Sequence, residues 1–177
     1  TPCKGKFDAV VIISGPEPQR THFEHLIIKQ LSTLDGRYAI VQGKPELDQS
    51  VKKQGNLIIY PYRTRAEMSE LLSQTELVIS RSGYTTLMDL AQTGHKAILC
   101  PTPGQYEQIF LADRLAGQGQ CVYSRQDHFN LEESLQKVNH VNPVGHGSPD
   151  IEEDFEERLL HLVQLKEQEQ HVDASAG

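Results

Sequence analysis

Six short apolar runs, each closed by turn residues and each leading into a stretch with helical spacing, leave this chain few ways to fold. The runs are residues 7–14, 39–42, 57–60, 77–79, 97–100 and 121–123. They do not alternate polar with apolar, so each reads as a strand buried on both faces, as in a parallel sheet. The first helical stretch spans 19 to about 34, with Phe23, Leu26, Ile27, Gln30 and Leu31 on one face. Others follow over 46–53, 65–74, up to Thr93, 106–117 and 131–140; Gly94 is placed to end the one before it. Strand–helix alternation with right-handed crossovers implies an α/β fold with a doubly wound, Rossmann-like, six-stranded parallel sheet. Ligands in such sheets lie beyond the carboxyl ends of the strands, where the first and fourth strands meet. Three loops therefore matter: 14–20, 80–84 and 101–108.

The domain is expected to occupy residues 1–141. Asn142 to Pro149 reads as a linker rich in glycine and proline. Residues 150–170 read as an acidic amphipathic helix with Asp150 as N-cap and Ile151, Phe155, Leu159, Leu162 and Val163 on one face. The tail 171–177 reads as disordered. Thr1-Pro2 is an unusual start with a strand close behind it, as in a domain cut from a longer polypeptide.

At 177 residues and 37% hydrophobic, the chain suits one globular domain. Its 24 acidic against 17 basic residues repel phosphate backbones and anionic lipid, so no nucleic-acid partner and no membrane-surface binding by bulk charge are expected, and no apolar run approaches membrane-spanning length, so no direct membrane insertion is expected. Any phosphate site must be local. Cys3, Cys100 and Cys121 have no metal spacing, and two of them lie in apolar runs, which suggests a reducing compartment. His22 and His25 are three apart but lack a third ligand, so no metal is expected.

The most informative stretch is residues 77–90, LVISRSGYTTLMDL: strand, tight polar turn and helix start. Ser82 and Gly83 precede the helix, whose free N–H groups and dipole favour an anion such as a diphosphate. Thr85, Thr86 and Asp89 share one helical face, and the Asp89 carboxylate could accept from both hydroxyls of a ribose. A polar turn with Asp89 merely solvated is the competing reading. The first loop, SGPEPQR, does not match GxGxxG, and its two prolines remove two donors; Ser14, Gly15, Gln19 and Arg20 are candidate contacts to a smaller phosphate or an acceptor. Gln105, Glu107 and Gln108 open the helix after the fifth strand with groups suited to sugar hydroxyls.

The run RSGYTTLMDLAQTGHKAILCPTPGQYEQIFLA, residues 81–112, resembles the C-terminal, donor-binding domain of glycosyltransferase family 28, the C-terminal half of a GT-B fold. The resemblance implies an inverting, metal-independent transfer from a uridine diphosphate sugar, which is a substrate; no cofactor is implied. It places Asp89 on the ribose, Ser82, Gly83, Thr85 and Thr86 around the diphosphate, and Glu107 and Gln108 on the donor sugar. Uracil would fall to the loop near Tyr62 and Arg63. The family's first loop is glycine-rich whereas this one is SGPEPQR. The catalytic base would come from an N-terminal acceptor-binding domain or a partner subunit, so no catalytic residue can be named. A cytoplasmic protein, peripheral to the membrane through that other domain, is the corresponding location. Two alternatives stand beside this one: a nucleotide-sugar epimerase or hydrolase, and a non-catalytic donor-binding subunit of a split transferase.

Overall fold

The computed structural model describes residues 6–147 together with Glu157 and Leu160. Seven strands and five helices follow in order: β1 Ala9–Ile12, α1 Gln19–Leu31, β2 Tyr38–Val41, β3 Lys52–Gln54, β4 Leu57–Tyr60, α2 Arg65–Leu72, β5 Leu77–Ser80, α3 Tyr84–Thr93, β6 Lys96–Leu99, α4 Tyr106–Gly117, β7 Val122–Tyr123 and α5 Leu131–Val138, with a 3-10 turn at Gln126–His128 before α5. They build one sheet in the order β3-β4-β2-β1-β5-β6-β7. Every neighbouring pair is parallel except β3 with β4. The chain leaves β1 toward β2 on one side and returns past it through β5 on the other, so β1 and β5 flank the point where the winding reverses.

The sheet has one strand more than the six expected, and it is mixed. The short helix expected over 46–53 is absent: Lys52–Gln54 pairs antiparallel with β4, Gln54 opposite Leu57. Gly55 takes φ +56°, which suits the first central position of a two-residue hairpin turn, and this local geometry overrides a weak helical signal. Lys52, Lys53 and Gln54 are all exposed, and charge on such an edge discourages further strand pairing. Asn56 anchors the hairpin by donating from Nδ2 to Leu31 O at 3.0 Å and Leu34 O at 2.8 Å.

Strand parity divides the core. Val11, Ile79 and Ile98 stand in register across β1, β5 and β6, and pack in one cluster with Phe23, Ile27 and Leu31 of α1 and Leu131 and Val138 of α5. Val10, Val78 and Ala97 are in register on the opposite face and fully buried. Right-handed crossovers put α3 on that second face, where its buried Leu87 and Leu90 belong. Gln30 ties α1 to α5: its Nε2 donates to Phe129 O at 2.8 Å and its Oε1 accepts from Leu131 N at 2.7 Å.

The helix ends have local causes. A capping box between Thr64 and Glu67 opens α2, Asn130 caps α5 by accepting from Glu133 N at 3.1 Å, and Gly94 closes α3 in the left-handed conformation at φ +69°. Residues 142–146, expected as linker, instead belong to the domain. Asn142 N donates to Gly119 O at 2.8 Å, Val144 N to His95 O at 3.0 Å, and Gly145 N to Gln120 Oε1 at 2.9 Å. Val144 is 1% exposed, so the strap carries its own apolar anchor. The first compact unit ends at His146. Of the expected acidic helix, Glu157 and Leu160 are described, helical and exposed; its remaining residues and the tail lie outside the described residues.

Candidate functional site

The loops after β1, β5 and β6 converge at the winding reversal, as the topology requires, and the loop after β7 joins them. Gly15, at φ +106°, sits where a Cβ would lie 3.5 Å from Thr102 Oγ1, which brings the β1 and β6 loops together. Ser82 is fully buried, and its hydroxyl donates to Gln108 O at 2.6 Å. Gln108 in turn accepts at Oε1 from Thr102 N at 2.9 Å. These bonds join the entry of α3 to the first turn of α4.

Gly83 caps α3 with no side-chain hydrogen bond. Farther along the helix Asp89 is exposed, and among the described residues nothing bonds its carboxylate. Thr85 is exposed and Thr86 half-buried on the same helix. Gln105 donates its N–H to Thr102 O at 3.0 Å, closing the turn that starts α4, while its side chain and that of Glu107 are exposed. The pair Glu107 and Gln108 is thus unequal: Gln108 Oε1 already accepts from Thr102 N while its Nε2 donates to none of the described residues, and Glu107 offers acceptors. Ser82 is likewise committed through its hydroxyl to the protein.

The remaining sequence candidates lie on the β1, β2 and β4 side. Ser14 is half-buried. Arg20 donates to Glu17 Oε1 at 3.0 Å and to Gly43 O at 3.3 Å, so its head is held toward the β2 loop. That loop is further tied by Lys44, which pairs with the buried Glu24 at 2.6 Å, while Gln42 Nε2 donates to the other Glu24 oxygen at 2.5 Å. Arg63 stacks over the Tyr60 ring at 4.0 Å and donates to Glu67 at 3.1 Å; Tyr62 beside it is 42% exposed. His22 and His25 are exposed on α1.

Arg81 is the residue that sequence reasoning passed over. It is 1% exposed and sits over the Phe23 ring at 4.1 Å. Burial pulls its basicity below the usual value, though a guanidinium stays charged at any ordinary pH. An arginine closing an apolar strand was the available signal. A cavity of about 360 Å³ opens beside this group, walled by Pro101, Thr102, Tyr123, Arg125 and Asp127 among others. Arg125 donates to both Asp127 oxygens, at 3.1 and 3.0 Å, and these bonds hold the Asp127 carboxyl below its ordinary range. Burial pushes the Cys100 and Cys121 thiols up to about 12.

An open, doubly wound sheet with its loops gathered at the β1–β5 reversal is the form of α/β domain that GT-B glycosyltransferases share. The crystal structure of Acinetobacter baumannii MurG superposes with a TM-score of 0.51 at 19% identity, covering 76% of this chain and 48% of that one. The glycotransferase of kitacinnamycin gives 0.55 at 12% identity, covering 88% and 39%. The chain belongs to the glycosyltransferase family 28 C-terminal domain family, which residues 18–170 match. A curated relative from Lachnoclostridium phytofermentans, named UDP-N-acetylglucosamine--N-acetylmuramyl-(pentapeptide) pyrophosphoryl-undecaprenol N-acetylglucosamine transferase, is 28% identical over 137 residues, 75% of this chain and 38% of that protein. The protein of the same name from Exiguobacterium sp. is 40% identical over 80 residues, 43% of this chain and 22% of that protein. This chain therefore spans well under half the length of these relatives.

Proposed function

We propose that this chain is the donor half of a hexosyl-transferring glycosyltransferase that binds a uridine diphosphate sugar, with the acceptor site and catalytic base supplied by an N-terminal domain or a partner subunit. The observation that carries this is the Asp89 carboxylate, exposed and bonded to none of the described residues, on a helix opened by Gly83 with no side-chain cap. A carboxylate there can accept from two ribose hydroxyls, while the helix N-terminus favours the diphosphate. Thr85 and Thr86 border the same stretch, and Glu107 with Gln108 Nε2 lies one hydrogen-bonded link away through Ser82. The uracil ring is assigned to the loop carrying Tyr62 and Arg63, and Ser14 and Gly15 to the diphosphate side. The nucleotide sugar is a substrate, and no cofactor or metal is assigned. Among the described residues no helix is long and apolar enough to cross a membrane; attachment at the cytoplasmic membrane face through the other domain accords with the lipid-linked acceptor in the relatives' name.

A thermal-shift screen tests this, because a ligand that binds the folded state raises the melting temperature by mass action. Uridine diphosphate is expected to stabilise the chain more than NAD, ATP or GDP. Equal shifts from all four, or a shift from NAD alone, would sink the proposal.

A further inference from the structure

We propose that Arg81 is the positioning residue of this site: its guanidinium fixes the loops after β1, β6 and β7 to the end of β5, so that the donor surface is formed before any ligand arrives. The proposal rests on the donor-site reading above for its consequence, though not for its geometry. Nη1 donates to Cys100 O at 3.0 Å and Pro101 O at 3.1 Å, the two carbonyls where β6 passes into its loop. Nη2 donates to Gln19 O at 3.0 Å, where the β1 loop enters α1, and to Gln126 Oε1 at 2.7 Å, beyond β7. Gln126 closes the ring by donating from Nε2 to Gln19 Oε1 at 3.1 Å. One side chain thus joins four segments that lie up to 107 positions apart in sequence.

Three features separate this from ordinary core packing. None of the four partners is a carboxylate, so the charge is buried without a counter-charge, a costly arrangement that a well-packed apolar side chain of similar size would avoid. Nε has no partner among the described residues, and neither has the hydroxyl of Thr102 in the loop that Arg81 holds. The bonds use the planar fork of a guanidinium, two N–H groups to each side, which an ammonium cannot reproduce. At 1% exposure Arg81 cannot itself touch a ligand. Its influence reaches the site through its neighbour Ser82, which donates to Gln108 O, and through Thr102, whose N–H holds Gln108 Oε1.

Three variants of the 177-residue chain test the clamp: Arg81→Met, Arg81→Lys and Gln126→Ala. Amide hydrogen exchange without ligand reads residues 14–18, 101–105 and 124–128 against the β1 and β2 amides as internal reference. Calorimetry with uridine diphosphate reads the consequence. Both Arg81 variants are expected to speed exchange in all three loops relative to the sheet, and to weaken the nucleotide about tenfold, the effect of having to order loops on binding. Gln126→Ala is expected to do the same more weakly, confined to the β1 and β7 loops; because Gln126 is only half-buried, it decides the matter if the Arg81 variants do not fold. Wild-type exchange and affinity in Arg81→Lys would show that charge alone is required and would overturn the clamp, as would unchanged loops in Gln126→Ala. A wild-type chain that binds no uridine nucleotide would sink the donor proposal while leaving the exchange comparison to judge Arg81.

Discussion

Asp89 is a demanding place to look for function because its geometry asks nothing of the fold. Its carboxylate is exposed and unbonded among the described residues, so Asp89→Ala is expected to leave the melting temperature within a degree or so while weakening uridine diphosphate by about 1.5–3 kcal/mol, the range for a hydrogen bond to a charged group. Asp89→Asn keeps shape without charge and is expected to fall between. Titration calorimetry showing wild-type affinity for both would return the residue to solvated surface. The two buried thiols make a different prediction. A thiol whose folded value is raised to about 12 favours the protonated form on folding, so its contribution is fully present below the ordinary value of 9.0 and is lost as pH rises toward 12. Denaturant midpoints are therefore expected to fall between pH 9 and 12, and less steeply in a Cys100→Ala, Cys121→Ala chain; thiol reagents at pH 8 are expected to find neither cysteine until the protein unfolds. Asp89 was legible in sequence because helical spacing is local. The commitments of Ser82 to Gln108 and of Arg81 to Gln126 were not, since they join positions 26 and 45 apart and only the folded sheet brings them together.

Among the elements, periodicity located nearly every strand and helix, and it failed where apolar pattern was weakest. The expected helix at 46–53 and the expected linker from 142 both lie in polar sequence punctuated by glycine. Hairpin geometry at Gly55 decided the first case. One buried side chain decided the second. The strap is expected to behave as part of the domain: Val144→Ala removes two methyl groups from a fully buried position and should cost about 1.5 kcal/mol, at roughly 0.8 kcal/mol per buried carbon. Chemical denaturation measures it, and a loss near zero would mean that 142–146 is the tether its composition suggests. α1 shows the same limit from the other side. Its apolar face was legible, yet Glu24 is also buried there, held by Lys44 and Gln42 from the loop after β2. A carboxylate on an apolar face gives no sign in sequence of the partners that admit it.

At the scale of the whole molecule, the proposed function gives this chain the donor and leaves activation of the acceptor to a second domain or subunit. It covers 38% of the Lachnoclostridium relative, and the side chains proposed for the donor site, Thr86, Asp89, Glu107 and Gln108, are assigned binding roles only. Sugar transfer needs a base for the acceptor's proton and a surface to hold that acceptor in line with the anomeric carbon. Holding two reactants in register can contribute roughly 7–11 kcal/mol of the barrier, and a donor bound without an aligned acceptor forgoes it. The 177 residues alone are therefore expected to bind uridine diphosphate sugars and release no uridine diphosphate from them, and turnover is expected to appear when the N-terminal region or partner is supplied in trans. A coupled assay for released nucleotide, run with several donors and simple acceptors, separates the outcomes. Sustained release by the isolated chain would place a catalytic group in this half, and would turn attention to a hydrolase or epimerase built on the same sheet.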